Sequence, residues 1–315
     1  MRGIAIGVCV GLVLSLAPTA AAAPVPGTSC SVFPADNVWN MDVSRLPVAL
    51  ENRVWKKAMH AGSTLLHPDF GAPPYGMPFN VVGKATPTER VRFTYADESD
   101  RVRYPFTAKT RIEGGSDRHA LMIDKDTCSL YELFAARWNG GKPRAGSGAV
   151  FDLSSNALRS AGWTSADAAG LPIFPGLVRY DEVKAGAIDH AIRFTVACTP
   201  NRYVWPARHE AGVANADCPP MGARFRLRAG FGERGYSPAA RVVLTAMKHY
   251  GLIVADNGSD WYFQGTMDRR WSNRLLDQLK TISARAFVAV DESGCMVSSG
   301  SARFRYDPTG CPAPA

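Results

Sequence analysis

Between Ser116 and Phe134 the chain reads SDRHALMIDKDTCSLYELF, which holds a histidine and a carboxylate at spacings able to set them side by side. Two alternating apolar runs, His119 to Ile123 and Cys128 to Phe134, flank the polar cluster Asp124-Lys125-Asp126-Thr127, the pattern of an antiparallel hairpin. Closing an even-membered loop on that cluster pairs Ile123 with Cys128, Leu121 with Leu130 and His119 with Glu132. Strand side chains alternate in facing, so His119 shares a face with Leu121 and Ile123, and Glu132 with Leu130 and Phe134. Desolvation on an apolar face raises a carboxyl pKa and a neighbouring imidazolium lowers it, so the pair reads as a tuned proton-transfer group. The competing reading is a pair of core strands whose polar residues bond locally.

A second segment, AGAIDHAIRFTVACT, repeats the motif: Asp189-His190-Ala191 opens a strand with His190, Ile192, Phe194 and Val196 on one face. Glycoside hydrolysis needs two carboxyls around the scissile bond. Beside Glu132 the candidates are Asp152, Asp167, Asp181, Glu182 and Asp189. Asp167 is preferred because WTSADAAGLPIFPG surrounds it with Trp163 and Phe174, rings able to stack on a sugar. The expected catalytic set is therefore Glu132, His119, His190 and Asp167, with Trp163, Trp205, Arg159, Tyr131 and His209 binding substrate. Polysaccharide lysis would draw instead on a His or Tyr base with an arginine, for which Tyr131, Arg118, Arg159 and Arg193 are available. His119, His190 and His209 could converge on a metal with Glu132 or Glu210, but no HExxH or HxH spacing supports this, and no metal or cofactor is expected.

These groups must be held by a frame that is mostly strand. Runs at 119–124, 128–136, 149–153, 189–197, 202–205 and 223–229 read as strands, and Arg90 to Tyr95 as another. HPDFGAPPYGMPFNVV is too rich in proline for regular structure and reads as an ordered loop. Helices are expected at 49–59, as short turns at 163–170 and 180–185, at 239–250 after Ser237-Pro238, and at 273–282. Leu252 to Ala255 and Trp261 to Gln264 read as a hairpin across DNGSD. The fold class that follows is α+β, mainly an antiparallel β-sandwich of jelly-roll type over 24–230, with a small helical and hairpin region over 231–315 packed on it.

The N-terminal MRGIAIGVCVGLVLSLAPTAAAA, one arginine, an apolar run and then small residues, reads as a signal peptide over 1–23, so a secreted protein is expected. Six cysteines follow it. Local spacing favours Cys198 with Cys218 and Cys295 with Cys311, leaving Cys30 with Cys128, although other pairings are open. The formal net charge of +8 is spread along the chain with no dense basic stripe, which argues against nucleic acid and fits contact with a cell-wall or extracellular polysaccharide by a monomer. No Gly-rich phosphate loop, G-x-S-x-G elbow or Cys-His nucleophile signature is present.

The strings EGGSDRHALMIDKDTCSLYELF, WTSADAAGLPIFPGLVRYDEV, IDHAIRFT, YVWPARH and HYGLIVADNGSDWYFQGT together resemble a broad uncharacterised family of exported bacterial proteins, notably of soil organisms. That resemblance implies export and a bacterial source and attaches no reaction. The functional expectation from the residues is a secreted glycoside hydrolase or polysaccharide lyase. The rivals are a non-catalytic carbohydrate-binding protein and a structural exported domain.

Overall fold

A computed structural model describes residues 24–307 and 310–313; the stretch 1–23, read above as a signal peptide, lies outside the described residues. In chain order the strands are β1 (His67–Asp69), β2 (Phe79–Val82), β3 (Glu89–Arg90), β4 (Arg92–Phe93), β5 (Arg103–Tyr104), β6 (Ala120–Asp124), β7 (Ser129–Leu133), β8 (Arg144–Ala145), β9 (Gly148–Asp152), β10 (Ile192–Val196), β11 (Arg224–Leu227), β12 (Leu252–Asn257), β13 (Tyr262–Gln264) and β14 (Phe287–Val290). The helices are α1 (Asn52–Ala58), α2 (Tyr180–Ala185), α3 (Pro238–His249) and α4 (Asn273–Leu279). Mixed α+β with most regular structure in strands is the class observed.

One sheet has the order β1-β13-β10-β12-β11-β14 and a second the order β2-β6-β7-β9. Six strand pairs are antiparallel and four parallel, the parallel ones being β1/β13, β10/β12, β2/β6 and β4/β8. The expected hairpin of residues 252–255 with 261–264 does not form. β10 lies between β12 and β13 and pairs with both, because its five consecutive buried residues need neighbours on both edges. Three strands from the 231–315 region thus complete the larger sheet. The proline-rich stretch contains β1 and β2 where a loop was expected, and Pro68 is tolerated because β1 is an edge strand. The strand read at 90–95 divides between β3 and β4, which pair with different partners. The one at 202–205 reduces to a single bridge from Tyr203 to Met221.

The larger sheet buries Phe194, Phe225, Trp261 and Phe287 together, with ring centroids 5.4 to 5.7 Å apart along the chain of contacts. α3 covers it, starting where Ser237 Oγ accepts the Ala240 N–H and burying Val243, Leu244 and Met247. The smaller sheet buries Leu121, Ile123 and Leu130 against Ile173, Phe174 and Leu177. That 173–177 segment also touches the larger sheet, since a Cβ on Gly176 would lie 2.8 Å from the Cβ of Arg193.

The β6/β7 register differs from expectation by two residues. Asp124 pairs with Ser129, so Leu121 lies opposite Glu132 and Ile123 opposite Leu130. Cys128 takes φ 54° inside the turn, where it is tied to Cys30, so the first strand runs on to Asp124 and the second starts only at Ser129. A slip of two preserves every facing. The three disulfides join Cys30 to Cys128, Cys198 to Cys218 and Cys295 to Cys311, which fits an oxidising environment. Among the described residues no helix is long and apolar enough to cross a membrane.

Candidate active site

The chemistry gathers on the face of the larger sheet opposite its aromatic core. Alternation along β10 sends Ile192, Phe194 and Val196 into that core and Arg193 and Thr195 the other way. On β12, simple alternation from Leu252 and Val254 would place Asp256 on the core side. The register instead shifts after Phe194, which pairs with Val254, so that Thr195 pairs with Asp256 and Ala255 is the extra residue. This bulge turns Asp256 onto the face of Arg193, a re-aiming that bulges beside active sites commonly perform.

Arg193 is fully enclosed. Its Nε donates to Asp167 Oδ2 at 2.7 Å, its Nη2 donates to Asp167 Oδ1, and its Nη1 donates to Gln264 Oε1 at 2.5 Å. A planar guanidinium matches a carboxylate bidentately, which accounts for burying so costly a pair. Asp256 Oδ2 stands 3.9 Å from Arg193 Nη2 with 23 % of its side chain exposed. Burial, reinforced by the Asp167 charge, pushes the Asp256 carboxyl up to about 7 despite the attraction of Arg193.

Asp167 is brought there by a knotted loop and not by the expected helical turn, which is absent over 163–170. Ser165 Oγ accepts the Asp167 N–H at 2.9 Å and donates to the Leu171 carbonyl at 2.5 Å. The Ala169 N–H donates to the Ala255 carbonyl at the bulge, fastening the loop to β12. Gly170 has φ 69°, and a Cβ there would meet the Trp163 carbonyl at 2.5 Å.

Beneath the same loop lies His119, 2 % exposed. Its Nδ1 is 2.6 Å from Glu113 Oε2 and its Nε2 3.2 Å from the Ala166 carbonyl. Both nitrogens face acceptors, so both must donate, which is the imidazolium form. Burial alone would lower this pKa, but Glu113 outweighs it and the His119 pKa is raised; burial would likewise raise Glu113, but His119 outweighs it and holds that carboxyl low. A raised histidine stabilises the fold below its ordinary 6.5, and this is lost as pH climbs through the folded value. A lowered carboxyl stabilises above its ordinary 4.5, and this is lost on acidification. The pair is therefore expected to stabilise most between those limits, and Glu113→Gln should flatten that part of a plot of melting temperature against pH. An unchanged profile would deny the ion pair.

Above these groups opens a cleft of about 330 Å³, lined by Asp256, Asp167, Glu98, Glu210 and His209 with the rings of Tyr95 and Phe134. His209 Nδ1 donates to the Ala168 carbonyl at 2.7 Å, leaving Nε2 3.5 Å from Glu98 Oε2. Glu98 Oε2 also accepts the Thr164 N–H at 3.1 Å. Arg159 braces this wall from behind: it donates to the carbonyls of Glu98 and Thr164 and to Asp100, with its guanidinium 5.6 Å from the Trp163 ring.

Of the residues expected from sequence, His119, Asp167, His209, Arg159 and Trp163 are thus brought to one place. The others are not. Glu132, fully enclosed, does not line the cleft; its carboxylate accepts the N–H groups of Ile173 and Phe174 at 2.9 to 3.0 Å, and burial pushes it up to about 7 against those bonds. His190 bonds the Ala191 carbonyl and Glu182, which also pairs with Arg179. Tyr131 meets Tyr104 edge-on at 5.7 Å on the far face of the smaller sheet. Trp205 lies on a different groove, its Nε1 donating to the Ser301 carbonyl. Each of the three imidazoles has its own partners, and among the described residues no three His, Cys, Asp or Glu side chains are grouped to hold a metal.

Glu132 serves the turn at 173–174, so Glu132→Gln, which presents an amide N–H₂ to backbone donors, is expected to destabilise by about 1–3 kcal/mol. Turnover per folded molecule should stay the same; loss of turnover at unchanged melting temperature would restore Glu132 to the chemistry. Asp256, Glu98 and Glu113 were not singled out from sequence. Asp256 opens DNGSD, which reads only as a hairpin turn, and the bulge that directs it leaves no periodic signal. No family model matches the chain, and no curated protein or solved structure matches it.

Proposed function

We propose that this chain is a secreted glycoside hydrolase in which Asp256 is the general acid. The carrying observation is a carboxyl at the cleft wall, partly open to solvent, whose pKa of about 7 keeps a transferable proton near neutrality. Asp256 gives that proton to the glycosidic oxygen as the bond to the anomeric carbon breaks. Glu98, tethered by the Thr164 N–H and His209, supports the positive charge that develops on the sugar and takes a proton from the water whose oxygen bonds to the anomeric carbon, while Asp256 regains its proton from solvent. Arg193 and Asp167 position Asp256 and set its proton affinity from below. Tyr95 and Phe134 offer rings for the apolar faces of the sugar, and the cleft is of a size for one or two residues.

Hydrolysis is favoured over lysis because β-elimination requires a cation to neutralise a uronate. Arg193 is committed to Asp167, while Glu98 and Glu210 would repel an acidic sugar. The sandwich reading of the fold belongs with this proposal and is supported by the 173–177 segment, which packs on the smaller sheet and touches Arg193 of the larger one, and three disulfides suit an exported enzyme. The test is release of reducing ends from neutral polysaccharides, with unsaturated products monitored in parallel. Reducing ends without unsaturation support the proposal, and unsaturated products would replace it with a lyase.

A further inference from the structure

Along α1 the sequence places Arg53, Lys56 and Lys57 at i, i+3 and i+4, so they share one face about 5–6 Å apart, where like charges repel. α1 packs on β14, and this brings Arg285, from the single helical turn before β14, beside them. Lys56 Nζ donates to the carbonyls of Arg285 and Phe287 at 2.9 and 2.6 Å, and Arg285 Nε donates to the Gly62 carbonyl at 2.8 Å. Lys56 is thus fixed in place with one N–H still to give. Two adjoining hollows open here, of about 410 and 350 Å³, the first lined by Lys56, Lys57, His60 and Arg285 around Gly62 and Ser63, the second by Arg53, Lys57 and His60 with Asp217. Neither shares a residue with the Asp256 cleft. Among the described residues, His60 alone of these cations has an acidic partner, Asp260 at 2.9 Å; no carboxylate pairs with Arg53, Lys56, Lys57 or Arg285. Burial and the nearby charge of Arg228 lower the Lys56 pKa, the response of a cation held among cations. The fold therefore gathers positive charge that it does not itself neutralise.

We propose that this face binds a flexible phosphodiester polymer of the cell envelope, of the poly(glycerol phosphate) kind, with successive phosphates in the two hollows. Cations repeating along a helix suit a chain that carries one negative charge per short repeat. Lys56 and Lys57 reach the first hollow from α1 and Arg285 from a separate element, and a tetrahedral phosphate accepts donors from several sides where a carboxylate accepts them in one plane. Apart from the His60 imidazole, neither hollow is lined by an aromatic ring, so the bases of a nucleic acid would find nothing to stack on. No dense basic run marks this face in the sequence because residues 53–60 and 285 meet only in the fold. The assignment takes from the proposed function only that the chain is exported, and it uses nothing of the Asp256 cleft.

Calorimetric titration of the whole protein with poly(glycerol phosphate), polygalacturonate and oligo(dT) tests it. Poly(glycerol phosphate) should bind saturably and the tightest of the three, and weaken roughly tenfold or more between about 50 and 200 mM salt as counterions compete. Arg53→Glu with Lys57→Glu should weaken it roughly tenfold or more. Arg90→Glu with Lys109→Glu makes the same change in net charge at exposed residues elsewhere and should leave affinity unchanged. None of these four side chains makes a hydrogen bond or ion pair among the described residues, so both double variants should keep the fold. No saturable binding of poly(glycerol phosphate), an equal loss in the two double variants, or equal or tighter binding of polygalacturonate or oligo(dT) overturns the proposal. The expected pattern in a protein without hydrolytic activity leaves this face standing and removes the hydrolase reading alone; hydrolysis without polymer binding does the reverse.

Discussion

Replacing Asp256 by Asn is expected to lower kcat/KM by roughly 10²- to 10⁴-fold, the usual worth of a positioned general acid. Folding should not suffer. Asn retains the oxygen that accepts the Asn257 N–H at 2.8 Å and discards a carboxyl that ionises at a cost. The sign follows from the raised pKa. An acid that titrates near 7 when folded and at 3.8 when unfolded burdens the native state progressively as pH rises between those values, by up to about 4 kcal/mol above them. The wild type should therefore lose stability from pH 4 to 7 more steeply than Asp256→Asn, as differential scanning calorimetry across pH would record. A variant as active as the wild type would remove Asp256 from the mechanism, and one with parallel pH profiles would remove the burial that tunes it.

The second large effect is expected at the Arg193 and Asp167 pair. Removing either partner alone leaves an uncompensated buried charge, so Arg193→Met or Asp167→Leu should destabilise by about 3–5 kcal/mol. The double substitution should recover much of that loss, since two apolar side chains of similar volume carry no charge to desolvate. Denaturant titration of the four proteins in a double-mutant cycle measures the coupling directly. The milder Asp167→Asn separates positioning from stability. It takes away the charge that helps raise Asp256 and leaves Arg193 to lower it, so the basic limb of the pH–rate profile should move to lower pH. Additive losses in the cycle, or a limb that stays in place, would mean that the pair braces the sheet without tuning the acid.

What the sequence discloses follows how local each cause is. α3 is announced by Ser237, Pro238 and the spacing of Val243, Ala246 and Met247, all within one element. Loop lengths favour the disulfide pairing observed without excluding others, and the core faces of β6 and β10 follow from simple alternation. The position of β10 between β12 and β13 depends on which apolar strand competes best for an edge, and the tempting DNGSD hairpin conceals it. The site is less legible still. Asp256 reaches Arg193 through one extra residue at Ala255, and Asp167 reaches both through a loop whose shape rests on Ser165 and Gly170. Glu132 looks catalytic in sequence for the reason that makes it structural: a carboxylate on an apolar face needs donors, and Ile173 and Phe174 supply them.

The claim that a protonated Asp256 drives glycoside cleavage is tested most directly by the pH dependence of reducing-end release from a panel of neutral polysaccharides. At least one polymer should be cut, with kcat/KM falling tenfold per pH unit above a limb near 7 that is absent in Asp256→Asn. No cleavage of any polymer, or the same limb in both proteins, would contradict it.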